Sequence, residues 1–368
     1  MLSLPCQMKR SNTGGNIMCN IAGYAGKQNA APILLEMLKK QQDYDGGVCT
    51  GIATIYEGKL YWRKVVGDVD TLIRTTDALY LPGTVGIAHT RPGGVPETYG
   101  HAHPFITKNE DMAAITNGTA RYPGYNEKAQ AAAELLESEG YTFRGEAFIE
   151  NSSFPRLKNG SFVSCVEVRM NMIDRYIKQG KRIPEALVAT TSQLYTDNVM
   201  VLLNLLEPEK IFAVRTTRPM AVLLGEGETY MATTRFAFPE GHTGEVMQLP
   251  LQHACEISAN GVTITGDRMT NCEKVCEMTP YTYAEGYRRI SELLKGKKDA
   301  PLYFDDLEIA VWKDMRDLWP EEHSLIQDAR LVYDILYQLK LEGRLQTVVR
   351  PLKTASGEKN RVYMWLDE

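Results

Sequence analysis

The sequence predicts an α+β protein: two packed sheets covered by helices, followed by a small helical module that ends in a two-stranded ribbon. Three observations predict it. Short apolar strands come first, a block of helices follows and strands then return, an order that suits stacked sheets better than a regular βαβ alternation. Beyond residue 300 the pattern changes to two amphipathic helices and a pair of strands. The 368 residues are 43% hydrophobic and 24% charged. That composition supports one large domain and a smaller one without help from disulfides or metals.

The elements follow in order. Ile21–Gly26 is a short strand ended by glycine, and Ala31–Leu38 has helical spacing with proline in its first turn. Gly51–Tyr56 and Leu60–Val66 flank Glu57-Gly58-Lys59 as a hairpin. Thr84–His89 and Ala113–Thr116 are further strands. Glu127–Glu139, Val166–Lys178 and Pro184–Leu194 read as helices, the first two closed by Gly140 and Gly180. Strands return at Lys210–Arg215, Ala221–Gly225, Thr229–Thr233, Val246–Leu249 and Gly261–Thr265. Residues 267–300 read as a connector carrying the helix Tyr283–Leu294. The module at 301–368 has helices Leu307–Leu318 and Ser324–Leu341, then strands Leu345–Leu352 and Arg361–Trp365 around a loop at 354–360. Helices followed by such a ribbon suggest a winged-helix-like unit.

A net charge of −5 gives no general attraction for nucleic acid or anionic membrane. The most apolar long stretch, Ala186–Leu206, is interrupted by Thr190, Thr191, Ser192, Gln193, Asp197 and Asn198, too often for a span of ~20 apolar residues. Seven scattered cysteines argue against a disulfide framework and for a reducing cytoplasm. Residues 1–18 are polar and lack the apolar core of a secretory signal; they read as a leader or a non-native start, with Met18 a candidate initiator before Cys19.

Four separated segments resemble the class II glutamine amidotransferase domain, specifically the glutaminase domain of the glucosamine-6-phosphate synthases. They are Cys19-Asn20-Ile21-Ala22-Gly23-Tyr24-Ala25-Gly26 with Ala30–Glu36; His89-Thr90-Arg91 with Ala102-His103-Pro104; Thr116-Asn117-Gly118; and Gly140–Phe143 with Val166-Glu167-Val168 entering a helix that ends at Lys178-Gln179-Gly180. Their order and spacing cover residues 19–265. The resemblance implies a four-layer αββα Ntn-hydrolase sandwich over 19–266 with Cys19 as nucleophile. Asn117 and Gly118 match the family's oxyanion pair, and Arg91 matches its substrate-carboxylate arginine. The family's sugar-isomerising domain has no counterpart here.

The chemistry follows from the residue types. An N-terminal cysteine carries nucleophile and base together, because a free α-amine with a pKa near ~8 accepts the thiol proton at neutral pH. The thiolate would attack a side-chain amide and form a thioester that water hydrolyses, with Asn117 and Gly118 donating to the oxyanion. Arg91 offers a bidentate grip on a carboxylate. While residues 1–18 remain attached, the nitrogen of Cys19 is an amide and cannot act as base. A glutamine-like amide is the implied substrate, and no cofactor or metal is.

The sequence departs from the family at several points. Pro92-Gly93-Gly94-Val95 stands where the family has Trp-Ala-Thr-His, and Asp45-Gly46-Gly47-Val48 where it has Arg-Gly-Tyr-Asp. Cys165 takes the place of the aspartate that holds the substrate's α-ammonium, unless a shift of two residues gives Glu167 that role. Residues 144–161 read as an insertion. These departures predict weak hydrolysis of free glutamine and a preference for an amide with a carboxylate but no free α-amine. They also admit the alternative of a degraded site kept as a binding or scaffold protein.

Other motifs read as structural. His101 and His103 lack companion ligands at metal spacing, and Cys272 and Cys276 have no second pair. Gly225-Glu226-Gly227 is a turn rather than a dinucleotide fingerprint. From Pro301 to Glu368 nine basic residues face thirteen acidic ones, the wrong balance for DNA. Protein contact or homodimerisation is the expected use of that module.

Overall fold

The structure, a computed structural model, describes residues 18–93, 98–118, 124–148, 152–270, 272–273, 275–320, 325–354 and 357–367. Its first strand, β1 (Asn20–Ala25), leads into helix α1 (Ala30–Gln41), where the Asn29 side chain caps the N-terminus and Lys39 and Lys40 complement the C-terminal dipole. Strands β2 (Cys49–Tyr56) and β3 (Lys59–Val66) form a hairpin whose turn residues Glu57 and Gly58 both have positive φ, 47° and 68°. Helix α2 (Val69–Thr75), strand β4 (Val85–Arg91), and strands β5 (Phe105–Ile106) and β6 (Met112–Gly118) follow. The helical block is α3 (Tyr125–Ser138), α4 (Cys165–Lys178) and α5 (Ile183–Gln193). Strands then return as β7 (Asn198–Asn204), β8 (Ile211–Arg215), β9 (Ala221–Gly225), β10 (Glu228–Ala232), β11 (Glu245–Gln248), β12 (His253–Ser258) and β13 (Gly261–Arg268).

The strands form two sheets, β11-β9-β10-β1-β4-β2-β3 and β13-β12-β8-β7-β6-β5, antiparallel at every pairing among the described residues. Alternation decides what each face does. Ile21, Ile55, Ile87, Ile115, Val201 and Ile211 point between the sheets and make one buried core. Ala22 and Tyr24 point outward against Leu34, Leu35, Leu38 and Leu72 of α1 and α2. On the far side Met200 and Leu202 pack against Met170, Ile173 and Leu187 of α4 and α5. The layers therefore run helices, sheet, sheet, helices, a mixed α and β fold.

The C-terminal part contains α6 (Pro280–Leu294), β14 (Leu302–Tyr303), α7 (Phe304–Asp314), α8 (Asp328–Leu341), β15 (Gln346–Thr354) and β16 (Gly357–Trp365), with its sheet ordered β14-β16-β15. The stretch expected to be a loop at 354–360 is mostly strand. Arg361, Asn360, Lys359, Glu358 and Gly357 pair in register with Arg350 through Thr354. The stretch 267–300, read as a connector, carries α6. Ile290 and Leu294 of α6 share a core with Leu307, Val311, Leu331, Leu336 and Val362, so this helix packs as part of the C-terminal unit. The same core takes in Met18, Tyr44 and Phe236 from the sandwich, which seats the unit against it.

Candidate active site

The start of β1 and the ends of β4 and β6 meet at one end of the sandwich. Cys19 has the parity of Ile21, Arg91 that of Ile87, Cys49 that of Ala53 and Asn117 that of Ile115, so all four face the inter-sheet layer. In the register, Asn20 lies beside Thr90, and Cys49 lies beside Arg91. Arg91 thus stands on the strand between those bearing the two cysteines.

Cys19 is nearly enclosed, at 9% exposure. Its backbone N–H donates to Oδ1 of Asn117 at 3.0 Å, and its carbonyl accepts from the Thr233 hydroxyl at 3.4 Å. Nδ2 of Asn117 is buried without a partner among the described residues. A buried amide donor left unpaired is costly and available to a ligand oxygen. Gly118 follows at φ 145°. A Cβ there would overlap the Asp197 carbonyl and the Asn198 backbone, so β6 can lie this close to its neighbour only with glycine. Burial pushes the Cys19 thiol up to about 12, Asp45 adds to the rise, and Arg91 and Arg218 oppose it. With residue 18 attached, Cys19 is therefore a neutral thiol beside an amide nitrogen.

The histidines beside this end are structural. His89 Nε2 meets the Thr116 carbonyl at 3.0 Å, and its ring lies 3.9 Å from that of His103. Burial depresses His89 to about 3 and His101 to about 4. Among the described residues no group of three His, Cys, Asp or Glu side chains is arranged to hold a metal.

The two residues expected on the substrate's amine side diverge. Cys165 turns into the core between α3 and α4, with Tyr125, Ala129 and Leu136. Glu167 is buried, and its two oxygens accept from Arg144 N–H at 2.6 Å and Gly145 N–H at 2.9 Å. Burial lifts Glu167 to about 7 against those bonds and the nearby Lys64. Gly94 and Val95 lie outside the described residues.

Sequence reasoning missed two features. Lys64 shares its strand face with Leu60 and Trp62, so the alternation itself points this lysine inward. It is buried, donates to the Ala102 and Pro104 carbonyls at 2.9 and 3.3 Å, and is lowered to about 8 by burial. It anchors the segment that crosses Gly51, where a Cβ would overlap the His103 carbonyl. The second feature is Asp45, noted in the sequence only as a departure. It accepts from Met18 N–H at 2.6 Å, and Arg361 of β16 reaches it at 3.4 Å. Nothing local in the sequence signals a pair 316 residues apart.

In sequence and fold the chain resembles class II glutamine amidotransferases, proteins of the Ntn-hydrolase type. The chain is 30% identical over 259 residues to glutamine–fructose-6-phosphate aminotransferase (isomerizing) of Clostridium perfringens, covering 70% of this chain and 38% of that protein. Its identity to the protein of the same name from Pyrococcus horikoshii is 29% over 223 residues, covering 60% of this chain and 33% of that one. The chain thus spans little more than a third of the length of these relatives. Two solved structures share the fold. Glutamine phosphoribosylpyrophosphate amidotransferase from B. subtilis, complexed with ADP and GMP, has a TM-score of 0.55 at 18% identity and covers 72% of this chain and 52% of its own. The allosteric regulatory enzyme of purine biosynthesis gives 0.56 at 16%, covering 77% and 58%. No protein-family model matches the chain.

Proposed function

We propose that the chain is a cysteine-dependent amidohydrolase of the glutamine amidotransferase type, acting on glutamine or a glutamine-like amide. Cys19 is the nucleophile once its nitrogen is a free amine. The observation that carries this reading is the contact of Cys19 N–H with Asn117 Oδ1 at 3.0 Å, with Nδ2 of the same amide buried and without a partner among the described residues. The α-amine takes the thiol proton, and Sγ adds to the carboxamide carbon. Asn117 Nδ2 and Gly118 N–H donate to the oxyanion. The C–N bond then breaks, and ammonia leaves with the proton returned by the α-ammonium. Water hydrolyses the thioester. Arg91 holds the substrate carboxylate.

The amine side supports a narrower substrate. Both Glu167 oxygens are engaged by backbone N–H groups, and Cys165 carries no charge to offer. A substrate α-ammonium would be desolvated there without compensation. We therefore infer a preference for an N-acylated or peptide-linked glutamine. The scattered cysteines support a cytoplasmic setting, and two helices, α7 and α8, with a ribbon support a winged-helix-like reading of residues 301–368 as a protein-contact module.

The test is incubation of the chain that begins at Cys19 with a diazo-ketone glutamine analogue. A covalent adduct on Cys19, with ammonia released from an amide substrate, is the expected result. No adduct and no ammonia from any amide would leave the scaffold reading in its place.

A further inference from the structure

Residue 18 occupies a closed seat built from both parts of the molecule. Met18 is fully buried, in the apolar cluster that includes Tyr44, Phe236, Phe304 and Tyr333. Its N–H donates to Asp45 Oδ2 at 2.6 Å, and its sulfur accepts from Arg218 Nη1 at 2.9 Å. Arg218 is held by Asp197 from the sandwich and by Glu308 of α7, both at 2.9 Å. Asp45 is reached by Arg361 of β16, which also donates to the Gly46 carbonyl. The Tyr333 hydroxyl beside them is buried with no partner among the described residues.

The charge balance of this seat is one-sided. Asp197 and Glu308 pair Arg218 at the sulfur, while on the nitrogen side Asp45 and the nearby Asp305 carboxyl face the single guanidinium of Arg361, around a nitrogen that is a neutral amide while residue 17 is attached. A cationic nitrogen would suit the position better, since buried carboxylates cost least when paired. The catalytic reading requires residue 18 to be removed. Its removal vacates a space with an apolar pocket for an unbranched side chain, a carboxylate for an amine and an arginine at the sulfur position. It leaves a cavity that destabilises the docked C-terminal unit unless something fills it.

We propose that the vacated seat is a binding site for an apolar α-amino acid amide or peptide N-terminus, a primary amine bearing a methionine-sized side chain. Its occupancy holds the C-terminal unit against the nucleophile end of the sandwich. The proposal rests on the reading that Cys19 becomes N-terminal. The amine pairs with Asp45, the side chain refills the cluster of Tyr44, Phe236 and Phe304, and the carboxamide faces Cys19, set back from its free amine by a van der Waals contact.

The probe is L-methioninamide, added to the chain Cys19–Glu368 while thermal melting and proteolysis between residues 268 and 300 are followed. The expected result is a saturable rise in Tm and slower cleavage. N-acetylmethioninamide, which lacks the amine, and glycinamide, which lacks the side chain, should each bind on the order of tenfold more weakly or worse. Asp45→Asn should abolish the difference between methioninamide and its N-acetyl form. The chain 1–368, whose own Met18 fills the seat, should not respond. No saturable effect of methioninamide on the chain from Cys19 would overturn the proposal, as would an equal effect of glycinamide or an equal response of the chain 1–368. Failure of the catalytic reading is separate: it shows as absence of the glutamine-analogue adduct on Cys19.

Discussion

Two regions differ in kind: the sheet wall that carries Cys19 and the helix wall at the start of α4. The sheet wall presents Cys19, Arg91, Asn117 and Gly118 at the ends of three strands whose register is fixed by a fully buried core, and it leaves Asn117 Nδ2 buried with no partner among the described residues. The helix wall presents Glu167 with both oxygens occupied and Cys165 packed into a separate core. One wall holds an unmet hydrogen-bonding demand, while the other has satisfied its own. In a buried site an unpaired donor is tolerated where a ligand will meet it, and a carboxyl group that already takes two backbone N–H bonds has less to offer a ligand. Under the proposed function, the contrast sets a sheet end equipped to attack an amide against a helix start less equipped to hold an amino acid's ammonium.

The largest expected effect breaks the sheet wall outright. In the chain beginning at Cys19, Cys19→Ala should lower ammonia release by at least ~10³-fold and abolish the analogue adduct, with Tm little changed. Adduct formation on another cysteine would remove Cys19 from its role. Asn117→Ala should lower kcat by roughly 10²- to 10³-fold with a smaller change in KM, because its free donor acts on charge that develops in the transition state. An effect confined to KM would make Asn117 a ground-state contact instead.

The helix wall is sharpened by substrate comparison. N-acetylglutamine should be hydrolysed with a kcat/KM on the order of 10²-fold above that of free glutamine, the scale of an uncompensated buried ammonium. Efficient turnover of free glutamine would show that a carboxylate does reach the ammonium, and Glu167 would be the residue to mutate.

The same contrast governs what could be read from the sequence. The strands of the sheet wall were legible because Ile21, Ile87 and Ile115 alternate with outward residues and end in glycine or polar signals. Strand β7 was not, because Asn198–Asn204 is buried on both faces and its continuous apolar run carries no period. Helix α2 is seven residues long and too short to show a helical stripe. Cys19, Asn117 and Arg91 were found as motifs. The environment of Glu167 was not, since its partners are backbone N–H groups of Arg144 and Gly145, which no residue type announces. The seat of Met18 depends on Arg218, Glu308 and Arg361, brought together only by docking of the C-terminal unit.

The smallest predicted effect tests the saturation of Glu167 through pH. Burial raises this carboxyl to about 7 in the folded chain, above its ordinary value near 4.5. Between those values the folded state holds a proton that the unfolded state has lost. The contribution of Glu167 is therefore fully present below the unfolded pKa and declines as pH rises through the folded one. Stability measured by denaturant should fall from pH 4.5 to about 8, with up to roughly 3 kcal/mol traceable to this residue. Asp45 and Asp305 are also raised by burial and give slopes of the same sign, so the measurement that isolates Glu167 is the difference between wild type and Glu167→Gln. Glutamine cannot ionise, and its side-chain oxygen can still accept one of the two backbone N–H groups. The variant should thus be less stable at low pH but show a flatter profile, the two curves converging toward pH 8. Parallel curves would mean that Glu167 stays ionised throughout. Its carboxylate would then be a permanent charge facing Lys64, and the amine side of the pocket would regain an anion able to hold a substrate ammonium.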